Sequence, residues 1–164
     1  MLICCVLTRE AVGRLMHMLN PHAARARLAN RTQKRVYYSP GPLYALHVDG
    51  HDKLKAYGFP IWGALDGDSR NLRILTAVPE NKNGASLLPY LLDVYERDGM
   101  AYARLISDPG VENQLPSEAQ IFLRMGQDDA RAGHKSVTRG ESAVINCRIE
   151  RFWLDLRHTV PGCL

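Results

Sequence analysis

No stretch of this chain approaches the ~20 consecutive apolar residues that span a membrane, although 46% of its 164 residues are hydrophobic. The apolar opening, residues 1–7, is too short for the apolar region of a secretory signal and has no basic leader. An intracellular protein is therefore expected. Cysteine is scarce, and Cys4, Cys5, Cys147 and Cys163 form no CxxC pair, which argues against a zinc ribbon or knuckle. Adjacent Cys4 and Cys5 are poorly placed to bond to each other, so reduced thiols without a special role are expected. There is no internal repeat, no low-complexity tract, and no Ser-His-Asp or Cys-His arrangement of the kind covalent catalysis needs. Acid is almost missing from the first 40 residues. Glu10 stands alone against Arg9, Arg14, Arg25, Arg27, Arg31, Lys34 and Arg35, a net charge of +6, while the remainder carries −2. A basic arm ahead of a near-neutral body suits contact with phosphates; a solubilising tail is the alternative.

What is present reads as α/β. Val12, Leu15, Met16 and Leu19 recur at helical intervals within residues 9–30 until Asn20-Pro21 breaks them, and a second short helix is predicted over 22–30. Ser39-Pro40-Gly41-Pro42 is a stiff boundary. Strands are predicted over 43–49, 59–66 and 72–78, with Asp66-Gly67-Asp68-Ser69-Arg70 as a hairpin turn. A helix follows over 84–98, with Leu87, Leu88, Leu91, Leu92 and Tyr95 on one face. Then come a strand over 102–108 and a helix near 114–125. Residues 126–140 are polar and aperiodic, which predicts a flexible loop, and a last helix runs from about Ser142 to His158.

Three acids stand where chemistry would want them. Asp49 ends an apolar-alternating run over 44–49, Asp108 ends another over 102–108, and Glu150 sits in the last helix, at spacings of 59 and 42 residues. Two strand-end aspartates and a helix-borne glutamate can bring three carboxylates to one point, as divalent cations on phosphate oxygens require. At ~100° per residue, Ile145, Ile149, Phe152 and Leu156 form the buried stripe of that helix. Glu150 lies about 130° away from the stripe, beside Asn146, Trp153 and Arg157. Arg148 and Arg151 fall on other faces, suited to tracking DNA or to solubility. Asp66 and Asp68 fit turn roles, leaving Asp52 as the nearer competitor. His47, His51 and His134 would draw a metal site towards zinc or manganese, but polar packing is the stronger expectation for each.

Five stretches occur in a recognisable order: Tyr-Ser-Pro-Gly-Pro (38–42), His-Val-Asp-Gly-His-Asp-Lys-Leu (47–54), Leu-Asp-Gly-Asp-Ser-Arg (65–70), Ser-Asp-Pro-Gly-Val-Glu-Asn (107–113) and Asn-Cys-Arg-Ile-Glu-Arg-Phe-Trp (146–153). On them, the segment from Tyr38 to about Val160 resembles the catalytic core of DDE-type integrases and transposases, closest to the integrase-core domains of eukaryotic retroelement-like and transposon-like genes. The resemblance implies an RNase H-like α/β fold, a mixed sheet of about five strands flanked by helices. It makes residues 41–160 a C-terminally truncated catalytic core and residues 1–40 a basic helical extension left from a DNA-binding region.

The same resemblance implies metal-dependent phosphodiester cleavage and DNA strand transfer. Asp49, Asp108 and Glu150 would be catalytic, Asp49 bridging two Mg²⁺ or Mn²⁺ ions and the others each holding one. Lys53, Lys55, Asn113, Asn146, Arg148, Arg151 and Arg157 would contact DNA, although Asn113 equally suits an N-cap of the following helix. DNA is the implied partner, a homo-oligomer the implied assembly, and the nucleus the implied location; no membrane and no small-molecule cofactor are expected. Leu43 and Leu46 stand where relatives often carry Asn and Trp, and the Asp108-to-Glu150 spacing is long against retroviral relatives. The alternative is a catalytically silent, domesticated remnant that binds nucleic acid or protein.

Overall fold

The computed structural model describes residues 8–29, 37–140 and 145–159. Cys4, Cys5, Cys163, Arg31, Lys34, Arg35 and the expected helix start at Ser142 lie outside these residues. The chain divides into two compact units, residues 1–37 and 38–164. In the first, helix α1 (Arg9–Leu19) opens on Thr8, whose hydroxyl oxygen accepts from the Ala11 N–H at 3.2 Å. Asn20 ends α1, and its Oδ1 accepts from the Ala23 N–H at 2.9 Å, starting α2 (Pro21–Ala29). Pro21 takes the first helical position, where a missing N–H costs nothing. The break expected at Asn20-Pro21 is there.

The second unit holds β1 (Ala45–His51), β2 (Ile61–Asp66), β3 (Leu72–Ala77), α3 (Gly84–Asp98), β4 (Arg104–Ser107), α4 (Gln114–Leu123), β5 (Val137–Arg139) and α5 (Cys147–Thr159). The strands form one sheet in the order β3-β2-β1-β4-β5. β1, β2 and β3 pair antiparallel, while β4 runs parallel to β1 and β5 parallel to β4. This is the mixed five-stranded sheet expected of an RNase H-like core. At the β2–β3 turn, Asp66 is buried and fully engaged. Its Oδ1 accepts from the Asp68 N–H (3.1 Å), the Ser69 N–H (2.8 Å) and the Ser69 hydroxyl (2.8 Å), and its Oδ2 from the Leu43 N–H (2.7 Å). Those bonds commit it to the turn, away from any cation.

Strand alternation gives the sheet two chemically different faces. Leu46, Val48, Trp62, Ala64 and Ile74 pack with Leu87, Leu91, Val94 and Tyr95 of α3, the main core. α4 joins that side: the Tyr95 hydroxyl donates to Gln120 Oε1 at 2.5 Å, and Gln120 Nε2 donates to the Tyr102 carbonyl at 2.7 Å. The other face of β1 offers His47, Asp49 and His51 to α5, where Ile149 and Trp153 pack with Leu65.

Four expectations change. β1 starts at Ala45 because Leu43 adopts φ 60, outside the extended region. It continues to His51, so Asp49 lies inside the strand. Residues 126–140 are not a featureless loop: a 3₁₀ turn at Gly133–Ser136 leads into β5, whose three residues are too few to show alternation in sequence. On α5, Trp153 is buried with Ile149, while Phe152 and Leu156 are partly buried. The indole therefore belongs to the sheet-facing side. No helix among the described residues is long and apolar enough to cross a membrane.

Candidate active site

The antiparallel register places Asp49 opposite Gly63. A glycine is needed there because a Cβ on residue 63 would lie 2.7 Å from Cη2 and 2.9 Å from Cζ2 of Trp153. With that space open, the indole lies over β2 and its Nε1–H donates to Asp49 Oδ2 at 2.9 Å. The ring is also flanked by His51, centroids 4.8 Å apart, and by Phe152 at 5.2 Å. Burial pushes the Asp49 carboxyl up to about 6. The Asp108 and Glu150 charges add to that rise, while the Trp153 bond and the Gly50 N–H oppose it.

Asp108 follows the last residue of β4. The parallel register sets His47 opposite Ile106, the last matched pair, and Asp49 and Asp108 each follow two residues beyond it. The backbone beyond β4 is braced from two sides. Asn113 Nδ2 donates to the Asp108 carbonyl at 3.1 Å, and Arg139 Nη2 donates to the Pro109 and Gly110 carbonyls at 3.0 and 2.7 Å.

Glu150 occupies the first turn of α5, where the helix dipole favours a carboxylate. The helix start is tied to β1 by Asn146, which is buried. Its Nδ2 donates to the Val48 carbonyl at 2.9 Å, and its Oδ1 lies 3.0 Å from His47 Nδ1. Because the Val48 bond fixes which end of the amide donates, His47 donates through Nδ1–H. Burial holds that imidazole down to about 4, so it stays neutral. Burial, then the charge of Asp108, pushes the Glu150 carboxyl up. Asp108 thus raises both of the other carboxyls.

A profile of the integrase core domain family matches residues 36–162, well over half of the chain. The chain belongs to the integrase core domain family. No curated protein matches the sequence significantly. Integrase cores generally bind DNA and use divalent metals. Among the described residues, no three His, Cys, Asp or Glu side chains stand together as ligands of one ion. The chemistry of the trio nonetheless fits a hard dication: oxygen donors whose repulsion and burial a cation would relieve.

The remaining residues expected at the DNA face of this integrase core separate into groups. Lys53 and Arg157 line a groove of about 480 Å³ together with Asp49, Asp52, Glu150 and Trp153. Lys55 forms an ion pair with Asp52 at 3.7 Å and donates to Asn81 Oδ1 at 3.4 Å. Arg151 is exposed and pairs with Asp155 at 2.9 Å; Arg148 is half-buried beside it. Asn113 and Asn146 are buried, and their amides hold backbone. Asn113 does sit at the N-cap of α4, but its side chain makes no capping bond. His134 lies in the turn before β5. Gly63 and Arg139 are not legible as site residues, and Trp153 is legible only as a neighbour of Glu150 on the last helix, not as the donor to Asp49. An isolated glycine inside an apolar strand does signal close backbone approach, but nothing in the sequence names the indole that uses it.

Proposed function

We propose that this integrase core catalyses metal-dependent phosphodiester cleavage and strand transfer on DNA, with Asp49, Asp108 and Glu150 as its catalytic and metal-holding residues. One observation carries the reading: Asp49 from β1 and Glu150 from the first turn of α5 line one groove with Lys53 and Arg157, and burial together with the charge of Asp108 raises both carboxyls. Proteins keep repelling carboxylates together at a cost in stability where a cation or proton is to be held. When bound, a pair of Mg²⁺ or Mn²⁺ ions supplies a more acidic attacking water or 3′-hydroxyl and a sink for charge on the leaving oxygen. Asp49 would hold both ions from within β1, Asp108 one from the end of β4, and Glu150 the other from the first turn of α5. Lys53 and Arg157, at the groove, bind the backbone phosphates beside the scissile bond. Arg148 and Arg151 extend that contact along α5, and Lys55 joins it on leaving Asp52. Asn113 and Asn146 serve by holding the backbone that carries the carboxylates. The basic residues of 1–40 add contact with DNA that is independent of sequence, and the nucleus is where such a substrate is met.

The test is nicking of supercoiled plasmid with Mn²⁺. Wild type is expected to nick, and Glu150→Gln to fall to background while binding DNA unchanged. Full activity in the Gln variant would refute the assignment. The second reading, a silent remnant, is favoured by the absence of a converged ligand set among the described residues. DNA binding without nicking in the wild type would support it.

A further inference from the structure

The indole on Asp49 has no part in the chemistry outlined above, yet it touches the central carboxylate. We infer that Trp153 is a positioning residue, which fixes the orientation of the Asp49 carboxylate through its Nε1–H, and that Gly63 is the seat that lets it do so. The inference rests on the metal-site reading of Asp49.

Three contacts over-determine the indole. Its edge reaches Asp49 Oδ2 at 2.9 Å, its six-membered ring fills the space over Gly63 that a single methyl would close, and it lies tilted against the His51 ring, centroids 4.8 Å apart. An aspartate side chain free to rotate about χ1 and χ2 samples several orientations, whereas one held by a charge-assisted bond from a wedged ring keeps one. Burial alone would be served by any large apolar side chain against Leu65 and Ile149; only a ring with an N–H at this edge also binds the carboxylate. The two strands and the helix are thereby coupled through one side chain: β1 brings Asp49, β2 brings Gly63 and α5 brings both Trp153 and Glu150. A carboxylate already oriented loses less freedom when a cation binds, so affinity should depend on the N–H and not only on the ring.

The experiment uses the full chain and two variants that break the contact from opposite sides. Trp153→Phe keeps a ring and removes the donor; Gly63→Ala keeps the donor and displaces the ring. In metal-free wild type, the Trp153 Nε1–H resonance should be protected from solvent exchange, and Gly63→Ala should abolish that protection. An unprotected N–H in wild type overturns the inference. In Mn²⁺ titrations by calorimetry, each variant should bind about tenfold more weakly, as expected for losing a bond to a charged group. The double variant should be no worse than either single one, because all three lose the same contact. Trp153→Phe with wild-type Mn²⁺ affinity overturns the inference alone. Wild type without Asp49-dependent Mn²⁺ binding overturns the metal-site reading beneath it, whatever the N–H shows.

Discussion

The Asp49 carboxyl carries a cost in stability that can be measured. Its value in the fold is about 6 against an ordinary 3.8, because burial and two neighbouring acids disfavour the charge. The fold therefore prefers the protonated form. The stabilisation is fully present below about pH 4 and is lost as pH rises through 6; above that, the ionised carboxylate costs up to about 3 kcal/mol. Asp49→Asn removes the charge and keeps an oxygen to accept from Trp153. In EDTA, urea unfolding should find the Asn variant more stable than wild type at pH 8, with the gap closing by pH 4. Mn²⁺ at pH 8 should then raise wild type and leave the variant unmoved. Equal stabilities at pH 8 without metal would mean that the carboxylate is better solvated than its surroundings indicate.

At the scale of elements, α5 is held to the sheet by a buried amide as well as by its apolar side. Asn146→Ala would leave the Val48 carbonyl and His47 Nδ1 buried without that partner, a loss of about 2 kcal/mol or more. Hydrogen exchange should rise in the first turn of α5 while β1 and α3 remain protected; unchanged exchange there would show that Ile149 and Trp153 suffice. Arg139→Ala should act in the same way on the Asp108 segment, through the Pro109 and Gly110 carbonyls. These elements also show what a sequence can and cannot disclose. α3 and the first three strands announce themselves by apolar periodicity, and the Asp66 turn by its residue types. β5 does not, because three residues fix no period and its pairing with β4 supplies the strand. The three acids can be picked out because each belongs to a readable local pattern. Their supports cannot: Trp153 reaches Asp49 across 104 residues and Asn146 meets His47 across 99. Such partners follow from the sheet order, which local spacing does not determine. A helical projection leaves Trp153 between the Ile149 stripe and the Glu150 flank, and the gap over Gly63 on β2 is what seats the indole against the sheet.

Across the whole chain, charge and core are divided between the two units. The apolar cluster around Leu46, Trp62 and Leu91 lies wholly within residues 38–164, whereas residues 1–37 carry seven Arg and Lys against one acid. Removing 1–37 should leave a cooperative unfolding transition, because the buried contacts of that core are untouched. DNA binding should change much more. Each phosphate neutralised adds about −0.9 to the slope of log K against log salt, so an arm in contact with several phosphates steepens the slope by several units. Fluorescence anisotropy on a labelled duplex between about 50 and 200 mM salt should give a steep slope for the full chain and a shallow one for residues 38–164. The proposed contacts Lys53, Lys55, Arg148, Arg151 and Arg157 remain in the shorter form, so binding should weaken without vanishing. An unchanged slope would locate the phosphate contacts on the core itself. The basic arm would then be a solubilising tail, and the groove beside Asp49 would have to account for the whole of the DNA affinity.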